Sequence, residues 1–215
     1  MKPLDRCLLY TFIDTAYLHG RNPAQVAQQL CDGGSDLIQV RAKGCSVDDV
    51  RRLVERVARV IERADVGLVI NDHPQLASEM GAPLCHLGQE DFFGYSHVSQ
   101  VCGPQGSLQI GLSSHAPDQA ERAVAAGAAY VAIGPIYATA TKPNARPVTL
   151  DYARWAAKHV QIPWFAIGGI DLSRLDAVLE AGARRVCVVS AILNAPDITQ
   201  ACQSFKERLI SAGRS

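Results

Sequence analysis

Residues 127–133 read GAAYVAI, and this plan of a glycine, two or three small or polar residues and an apolar run occurs four times. The other copies are GSDLIQV at 34–40, GAPLCHL at 81–87 and GARRVCV at 182–188. A glycine just after a helix and a continuous apolar run are typical of a helix end followed by a buried parallel strand. The sequence therefore predicts a repeated unit of helix, glycine and strand.

Eight short apolar runs extend this plan along the whole chain, and longer periodic segments separate them. The runs cover residues 8–13, 37–40, 66–70, 84–87, 108–112, 130–133, 164–167 and 186–189. Strict alternation of this kind predicts an α/β protein, a (β/α)₈ TIM barrel that occupies residues 1–215 as a single domain. A doubly wound open sheet is the alternative, which the absence of Gly-x-Gly-x-x-Gly after the first strand disfavours.

The segments between the runs carry helix signals. Asn22 before Pro23 predicts a helix N-terminus, and Ser46 with Asp49 resembles a capping box. Further periodic segments lie at residues 118–126, 150–158, 172–180 and 198–210. These signals place helices where the barrel interpretation needs them.

Composition excludes several classes of protein. The 215 residues include 21 basic and 21 acidic side chains, so no basic excess favours nucleic-acid binding. A hydrophobic fraction of 48% excludes a disordered chain, and no apolar run approaches the ~20 residues of a membrane helix. Seven cysteines without a Cys-x-x-Cys pair predict reduced thiols in a cytoplasmic protein rather than disulfides or a zinc site.

Polar residues follow the second apolar run, at 39–43 (QVRAK). Alternate residues of an extended chain share one face, so Gln39, Arg41 and Lys43 are predicted to point into the barrel mouth. A solvated strand end is the alternative. An amide and two cations in a barrel interior favour an anion ligand.

Carboxylates follow the third and fourth runs, at Asp72 and Asp91. Two carboxylates near cations suit Mg²⁺, which takes one or two of them together with substrate phosphates and water. The alternative for Asp72 is an N-cap of a helix that begins at Pro74.

The fifth and sixth runs lead into residues that suit an anionic ligand. Residues 111–115 read GLSSH, without the Gly-x-Ser-x-Gly of a hydrolase, and Ser114 could instead cap a helix. Residues 134–147 show no helix or strand pattern and hold two threonines and Lys142, which predicts a functional loop that closes over the site.

Glycines and small residues follow the seventh and eighth runs, at 167–170 and 188–192, where barrels commonly bind a phosphate. The cations and carboxylates of the other loops suit a diphosphate with a metal ion. One phosphate site and one diphosphate site together indicate a transferase with a diphosphate leaving group.

Seven motifs, in order and spread over nearly the whole chain, resemble those of the thiamine phosphate synthase family. They are QVRAK at 39–43, IND at 70–72, HLGQED at 86–91, GLS at 111–113, GPIYATATK at 134–142, IGGI at 167–170 and VVSAI at 188–192. The resemblance implies a TIM-barrel transferase that joins 4-amino-5-hydroxymethyl-2-methylpyrimidine diphosphate to a thiazole phosphate, giving thiamine phosphate and pyrophosphate.

Motif by motif, the resemblance also implies site residues. The pyrimidine diphosphate would be held by Gln39, Arg41, Lys43, Asn71, Ser113 and Lys142, of which Arg41, Lys43, Ser113 and Lys142 are the implied catalytic residues. The thiazole phosphate would be held by Thr139, Thr141, Gly169, Val189 and Ser190, and Mg²⁺ by Asp72 and Asp91. The implied partners are the two small-molecule substrates, and a homodimer is left open.

The sequence departs from the family pattern at Ala42, His73 and Ala138 and in its first strand. Ala42 should point away from the interior, so these departures affect fine specificity rather than the reaction. The related thiazole tautomerase, with His115 as acid and base, is one alternative, which the paired carboxylates and cations disfavour. A non-catalytic sensor of thiamine precursors is the other. His86 and His159 are predicted to be structural.

Overall fold

The computed structural model describes residues 1–92, 94–102, 108–139, 141 and 145–213. Eight strands in these residues form a closed barrel in the order β1 to β8, and neighbouring strands are parallel throughout. The strands are β1 (Leu9–Asp14), β2 (Leu37–Arg41), β3 (Gly67–Asn71), β4 (Leu84–Leu87), β5 (Gln109–Ser114), β6 (Tyr130–Ile133), β7 (Trp164–Ile167) and β8 (Val186–Cys187). The TIM barrel is confirmed, and the open-sheet alternative is wrong.

Helices follow the strands and pack around them. They are α1 (Thr15–Leu18), α2 (Pro23–Asp32), α3 (Val47–Arg63), α4 (Pro74–Glu79), α5 (Gln89–Phe92), α6 (Ser99–Cys102), α7 (Pro117–Ala125), α8 (Thr149–His159), α9 (Leu172–Glu180), α10 (Ser190–Leu193) and α11 (Ile198–Ala212), with a 3₁₀ turn at Leu4–Arg6. None of the described helices is long and apolar enough to cross a bilayer.

The glycine of each repeat has the backbone conformation that ends a helix. Gly34, Gly81, Gly127 and Gly182 have φ values of +87°, +66°, +82° and +97°. Side chains with a Cβ rarely adopt this left-handed region, so glycine is the residue that turns the chain from helix to strand here. The repeated unit predicted from the sequence is thereby confirmed.

Two predicted helix N-termini are also confirmed. The Asn22 side chain accepts a hydrogen bond from the Ala24 N–H at 3.0 Å, and Ser46 Oγ accepts one from the Asp49 N–H at 3.2 Å. Each satisfies a backbone donor that the first turn of a helix leaves without an intrahelical partner.

The barrel interior holds a compact aromatic group. The Tyr10 and Tyr130 rings each meet Phe165 edge to face, with centroids 5.4 and 5.5 Å apart. All three side chains are fully buried. Edge-to-face packing fixes the ring orientations, so the two tyrosine hydroxyls have set positions below the barrel mouth.

All seven cysteines are free thiols. Burial raises the pKa of the Cys7 and Cys31 thiols to about 11 and that of Cys187 well above its ordinary value. A thiol in this state is a poor nucleophile, so the interior cysteines act as small packing residues.

Candidate active site

A pocket of about 140 Å³ opens at the carboxyl ends of the strands. It brings together all of the sequence-predicted site residues that the structure describes, which come from seven of the eight strand ends. They are Gln39, Arg41, Lys43, Asn71, Asp72, Asp91, Ser113, Thr139, Thr141, Gly169, Val189 and Ser190. Lys142 lies outside the described residues.

The alternation predicted for residues 39–43 holds at the pocket wall. Gln39, Arg41 and Lys43 line the pocket. Ala42 instead lines a surface groove with Leu18 and Pro23. The two cations therefore face the site, and the departure at position 42 faces away from it.

Each of these cations has a carboxylate partner. Arg41 Nη1 lies 2.6 Å from Oδ2 of buried Asp14, whose other oxygen accepts from the Ala16 N–H at 3.0 Å. Lys43 forms an ion pair with Asp72, and 53% of the Lys43 side chain is exposed. Asp14 thus holds Arg41 in place, while the exposed Lys43 can turn to an anionic ligand.

Asp72 has a backbone conformation that is uncommon for a residue with a side chain. Its φ is +63°. Its N–H donates to the His86 carbonyl of the neighbouring strand β4 at 2.9 Å. The N-cap of α4 is His73, with no side-chain capping bond, so the capping alternative for Asp72 is wrong. Strained backbone of this kind gathers at functional sites, and here it turns the Asp72 carboxylate into the pocket.

Asp72 and Asp91 bring two carboxylates, which are ligands of the kind that Mg²⁺ prefers, to the pocket. Both side chains line the pocket, and Asp91 Oδ2 also accepts from the Gly88 N–H at 3.3 Å. In the described residues no group of three or more His, Cys, Asp or Glu side chains could hold a metal. Two carboxylates suffice for Mg²⁺ when diphosphate oxygens and water complete its shell.

The opposite wall is built where the loops after β6 and β7 meet. The Ile136 and Tyr137 N–H groups donate to the Ile167 and Gly168 carbonyls at 2.8 and 3.0 Å. A Cβ on Gly169 would lie 2.6 Å from the Ala138 carbonyl oxygen, so a side chain there would push the two loops apart. Close packing of the loops needs glycine, which explains why the IGGI motif stands here.

The two threonines of the predicted loop are held toward the pocket. Thr141 Oγ1 lies 2.9 Å from the Tyr17 hydroxyl, and the Thr141 N–H donates to Thr139 Oγ1 at 3.3 Å. In the described part of residues 134–147 there is no helix or strand. Hydroxyls and backbone N–H groups beside Gly169 and Val189 can hold a phosphate through hydrogen bonds, so this wall needs no cationic side chain.

The pocket floor is a chain of hydrogen bonds between buried side chains. Gln39 Nε2 donates to the Tyr10 hydroxyl at 2.5 Å, and the Tyr10 and Tyr130 hydroxyls lie 2.9 Å apart. The Tyr130 hydroxyl lies 3.0 Å from His86 Nδ1, and His86 Nε2 lies 3.0 Å from Ser113 Oγ. The chain joins two predicted ligand-binding residues through three side chains to which the sequence assigned no part in binding.

Near the end of β5, the structure excludes one interpretation of Ser114 and places His115 in the pocket. The N-cap of α7 is Ala116, and Ser114 Oγ instead contacts the Tyr152 hydroxyl and, at 3.0 Å, the Ala116 carbonyl. The capping alternative for Ser114 is therefore wrong. His115 lines the pocket, and its Nδ1 donates to the Gly134 carbonyl.

Among the described residues of the pocket wall, sequence reasoning missed several, including three with polar side chains. Tyr10, His86 and Glu90 line it, although none was proposed as a site residue. For Tyr10 and His86 a signal existed, because each places a polar group within an apolar strand. His159, in contrast, stacks on Trp155 with ring centroids 5.0 Å apart.

Comparisons with known proteins give the same family as the sequence motifs. The profile of the family described as thiamine monophosphate synthase matches residues 9–192. Thiamine-phosphate synthase of Thermus thermophilus is 44% identical over 178 residues, covering 82% of this chain and 84% of the relative. That of Lawsonia intracellularis is 35% identical over 205 residues, covering 95% and 93%. The fold is that of thiamine phosphate pyrophosphorylase from Pyrococcus furiosus, with a TM-score of 0.87, 23% identity and coverage of 98% and 99%.

Proposed function

This chain belongs to the thiamine monophosphate synthase family and is a transferase of thiamine biosynthesis, and we propose how its pocket performs that reaction. The pyrimidine diphosphate lies along Gln39, Arg41, Lys43, Asn71 and Ser113, and the thiazole phosphate lies along Thr139, Thr141, Gly169, Val189 and Ser190. The observation that supports this arrangement is that all ten residues line one pocket, with cations on one wall and glycine and hydroxyl groups on the other.

The first step breaks the bond between the pyrimidine methylene carbon and the diphosphate oxygen. The bonding electrons leave with the diphosphate, so negative charge grows next to Arg41 and Lys43. Cations next to the leaving group stabilise such charge more in the transition state than in the bound substrate. Lys142, which lies outside the described residues, is proposed as a third cation for the same group.

Asp72 and Asp91 would hold Mg²⁺ against the diphosphate. The ion, when bound, would supply further charge neutralisation for the leaving group. Lys43, which pairs with Asp72, can then turn to the diphosphate.

The second step joins the methylene carbon of the pyrimidine cation to the thiazole nitrogen. That nitrogen carries a lone pair, so the protein needs no strong base and its task is to align the two rings. The wall that carries Thr139, Thr141, Gly169, Val189 and Ser190 holds the thiazole phosphate. A loop that covers the site would keep water from the cation.

The experiment that tests the proposal mixes purified protein with the pyrimidine diphosphate, the thiazole phosphate and Mg²⁺. We expect thiamine phosphate and pyrophosphate in equal amounts, with loss of both products in EDTA and recovery when Mg²⁺ is added back. Full turnover in EDTA would refute the metal site. Binding of the thiazole phosphate without turnover would indicate the tautomerase or the sensor instead.

We further propose a cytoplasmic protein whose partners are its two small-molecule substrates and not nucleic acid. The net charge of zero supports the second point, because non-specific binding to phosphate backbones needs a basic excess. A homodimer stays a prediction, which a mass measurement in solution can decide.

A further inference from the structure

Arg174 connects the loops that follow β6 and β7, although it is not among the residues that line the pocket. Its Nη1 donates to the Gly169 carbonyl at 2.8 Å, and its Cζ lies 5.0 Å from the centre of the Tyr137 ring. A guanidinium over an aromatic face packs against the ring and is also attracted by its electrons. Arg174 therefore holds one residue of each loop at the same time.

The start of α9 fixes the place from which Arg174 reaches these loops. Asp171 is the N-cap of the helix, and its Oδ1 accepts from the Arg174 N–H at 3.1 Å. Asp171 Oδ2 also lies 3.7 Å from Arg174 Nε. Because Asp171 follows Gly169 by only two residues, the capped first turn keeps the guanidinium beside that glycine.

The two peptide groups that flank Gly169 are both held through their oxygen atoms. The Gly168 carbonyl accepts from the Tyr137 N–H at 3.0 Å, and the Gly169 carbonyl accepts from Arg174. A trans peptide is planar, with its N–H directed opposite to its carbonyl. Tyr137 thus sets the direction of the Gly169 N–H, and Arg174 sets that of the Ile170 N–H.

This segment needs contacts from outside to keep one conformation. Gly168 and Gly169 have φ values of +101° and +63°, and glycine adopts many other conformations with equal ease. Gly169 and Ile170 both line the pocket. A change in the orientation of the peptide between them would therefore change the groups that the wall presents to a ligand.

We propose that Arg174 is a positioning residue that orients the peptide between Gly169 and Ile170 for the thiazole phosphate. The inference rests on the proposed function, in which Gly169 belongs to the wall that holds this phosphate. Backbone N–H groups bind a phosphate well only when they converge on it, because a hydrogen bond weakens steeply as its angle falls. Without Arg174 the wall keeps its donors but loses their common direction, so the thiazole phosphate binds more weakly.

The test measures kcat and both KM values for the parent protein and for Arg174→Ala, with each substrate varied while the other is saturating. We expect the KM for thiazole phosphate to rise about fivefold, because a charged hydrogen bond and a contact with an aromatic ring are lost. The KM for the pyrimidine diphosphate and kcat should stay at the parental level, because the diphosphate lies on the other wall. An unchanged KM for thiazole phosphate, or an equal rise of both KM values, would overturn the inference.

Arg154→Ala is the matched control, because Arg154 on α8 has a similar local setting. It also pairs with an aspartate three residues earlier, and its side chain is 55% exposed, against 46% for Arg174. Arg154 does not line the pocket, so all three constants should be parental. The same rise in KM in both variants would assign the effect to loss of a surface charge and overturn the inference.

Arg174→Lys keeps the charge and serves if Arg174→Ala does not fold. A lysine lacks the planar group that stacks on Tyr137 while donating to Gly169, so we expect a KM for thiazole phosphate between those of the parent and Arg174→Ala. A parental KM in Arg174→Lys would show that charge alone matters and would contradict positioning.

A double-mutant cycle with Tyr137→Leu tests whether Arg174 acts through the neighbouring loop. Tyr137→Leu removes the ring beneath the guanidinium and keeps the backbone N–H. Adding Arg174→Ala to this variant should raise the KM for thiazole phosphate less than the same substitution does in the parent. Independent effects of the two substitutions would mean that Arg174 does not act from its place on the ring, which would refute the inference.

Two failures are distinguishable in these assays. A parent protein that makes no thiamine phosphate contradicts the proposed function. A parent that makes it, with the same KM for thiazole phosphate as Arg174→Ala, contradicts the positioning role alone.

Discussion

The two ends of the barrel each hold carboxylates paired with lysines, and they differ in how many partners those carboxylates have. At the amino end, the fully buried Asp36 accepts from Lys2 at 2.9 Å, from Lys206, and from the Leu8 and Leu9 N–H groups at 2.8 and 3.1 Å. At the carboxyl end, Asp72 pairs with the half-exposed Lys43.

With the proposed function, this difference gives one kind of ion pair a structural role at one end and a binding role at the other. Burial alone would raise the pKa of the Asp36 carboxyl. Hydrogen bonds from Lys206, Leu8, Leu9 and Lys2 outweigh this effect and hold the pKa below its ordinary value. A carboxylate with this many partners has little capacity left for a ligand. At the mouth the Lys43 side chain is half exposed, so in the proposed function it can leave Asp72 for the diphosphate.

The largest effect expected is on catalysis, from Lys43→Ala at the mouth. Loss of a cation beside the leaving diphosphate should lower kcat/KM about 100- to 1000-fold. The free energy of unfolding should change by no more than about 1 kcal/mol, because the Lys43 side chain is half exposed. Steady-state kinetics and urea unfolding of the same variant check both statements. A large loss of stability would mean that the Lys43–Asp72 pair has a structural role, as the ion pairs of Asp36 do.

Asp36→Asn should give the opposite pattern. Removing the charge leaves the mostly buried Lys206 without its counter-ion, which should lower the free energy of unfolding by about 3 kcal/mol. Turnover per folded molecule should stay at the parental level, because the substitution lies at the far end of the barrel. Urea unfolding and kinetics at a temperature where the variant is folded measure the two quantities. Reduced turnover in folded protein would show that the two ends are coupled.

A smaller effect is expected in the acid range. The folded-state pKa of Asp36 lies below that of an unfolded aspartate, which is about 3.9. Its stabilising contribution is therefore complete above that value and is lost as the pH falls through the folded pKa. Between pH 6 and pH 3, urea unfolding should show that the parent loses more stability than Asp36→Asn. Parallel losses in the two proteins would show that Asp36 does not contribute to acid unfolding.

Local patterns in the sequence predicted the barrel and many of the residues that line the pocket. The repeated glycines mark helix ends, and strand alternation placed Gln39, Arg41 and Lys43 on one wall, since both features depend only on neighbouring residues. The capping interpretations of Asp72 and Ser114 were wrong because these side chains contact residues distant in sequence, Lys43 and Tyr152.

The hydrogen-bond chain of the pocket floor could not be predicted in this way. Tyr10 and Tyr130 are 120 residues apart, and His86 is 44 residues from Tyr130. Apolar runs indicate that such positions are buried, but barrel closure and stagger decide which hydroxyl groups meet. A polar residue within an apolar strand indicates that its side chain has a buried partner. Only the folded structure shows which residue that partner is.

The contact between Gly111 and Tyr130 has a consequence for how this sequence can diverge. While Tyr130 is present, even one methyl group at position 111 would overlap its ring. A lineage that replaces Tyr130 with a smaller residue removes this restriction and also gives up the hydroxyl between Tyr10 and His86. Descendants of this chain should therefore change positions 111 and 130 together or keep both.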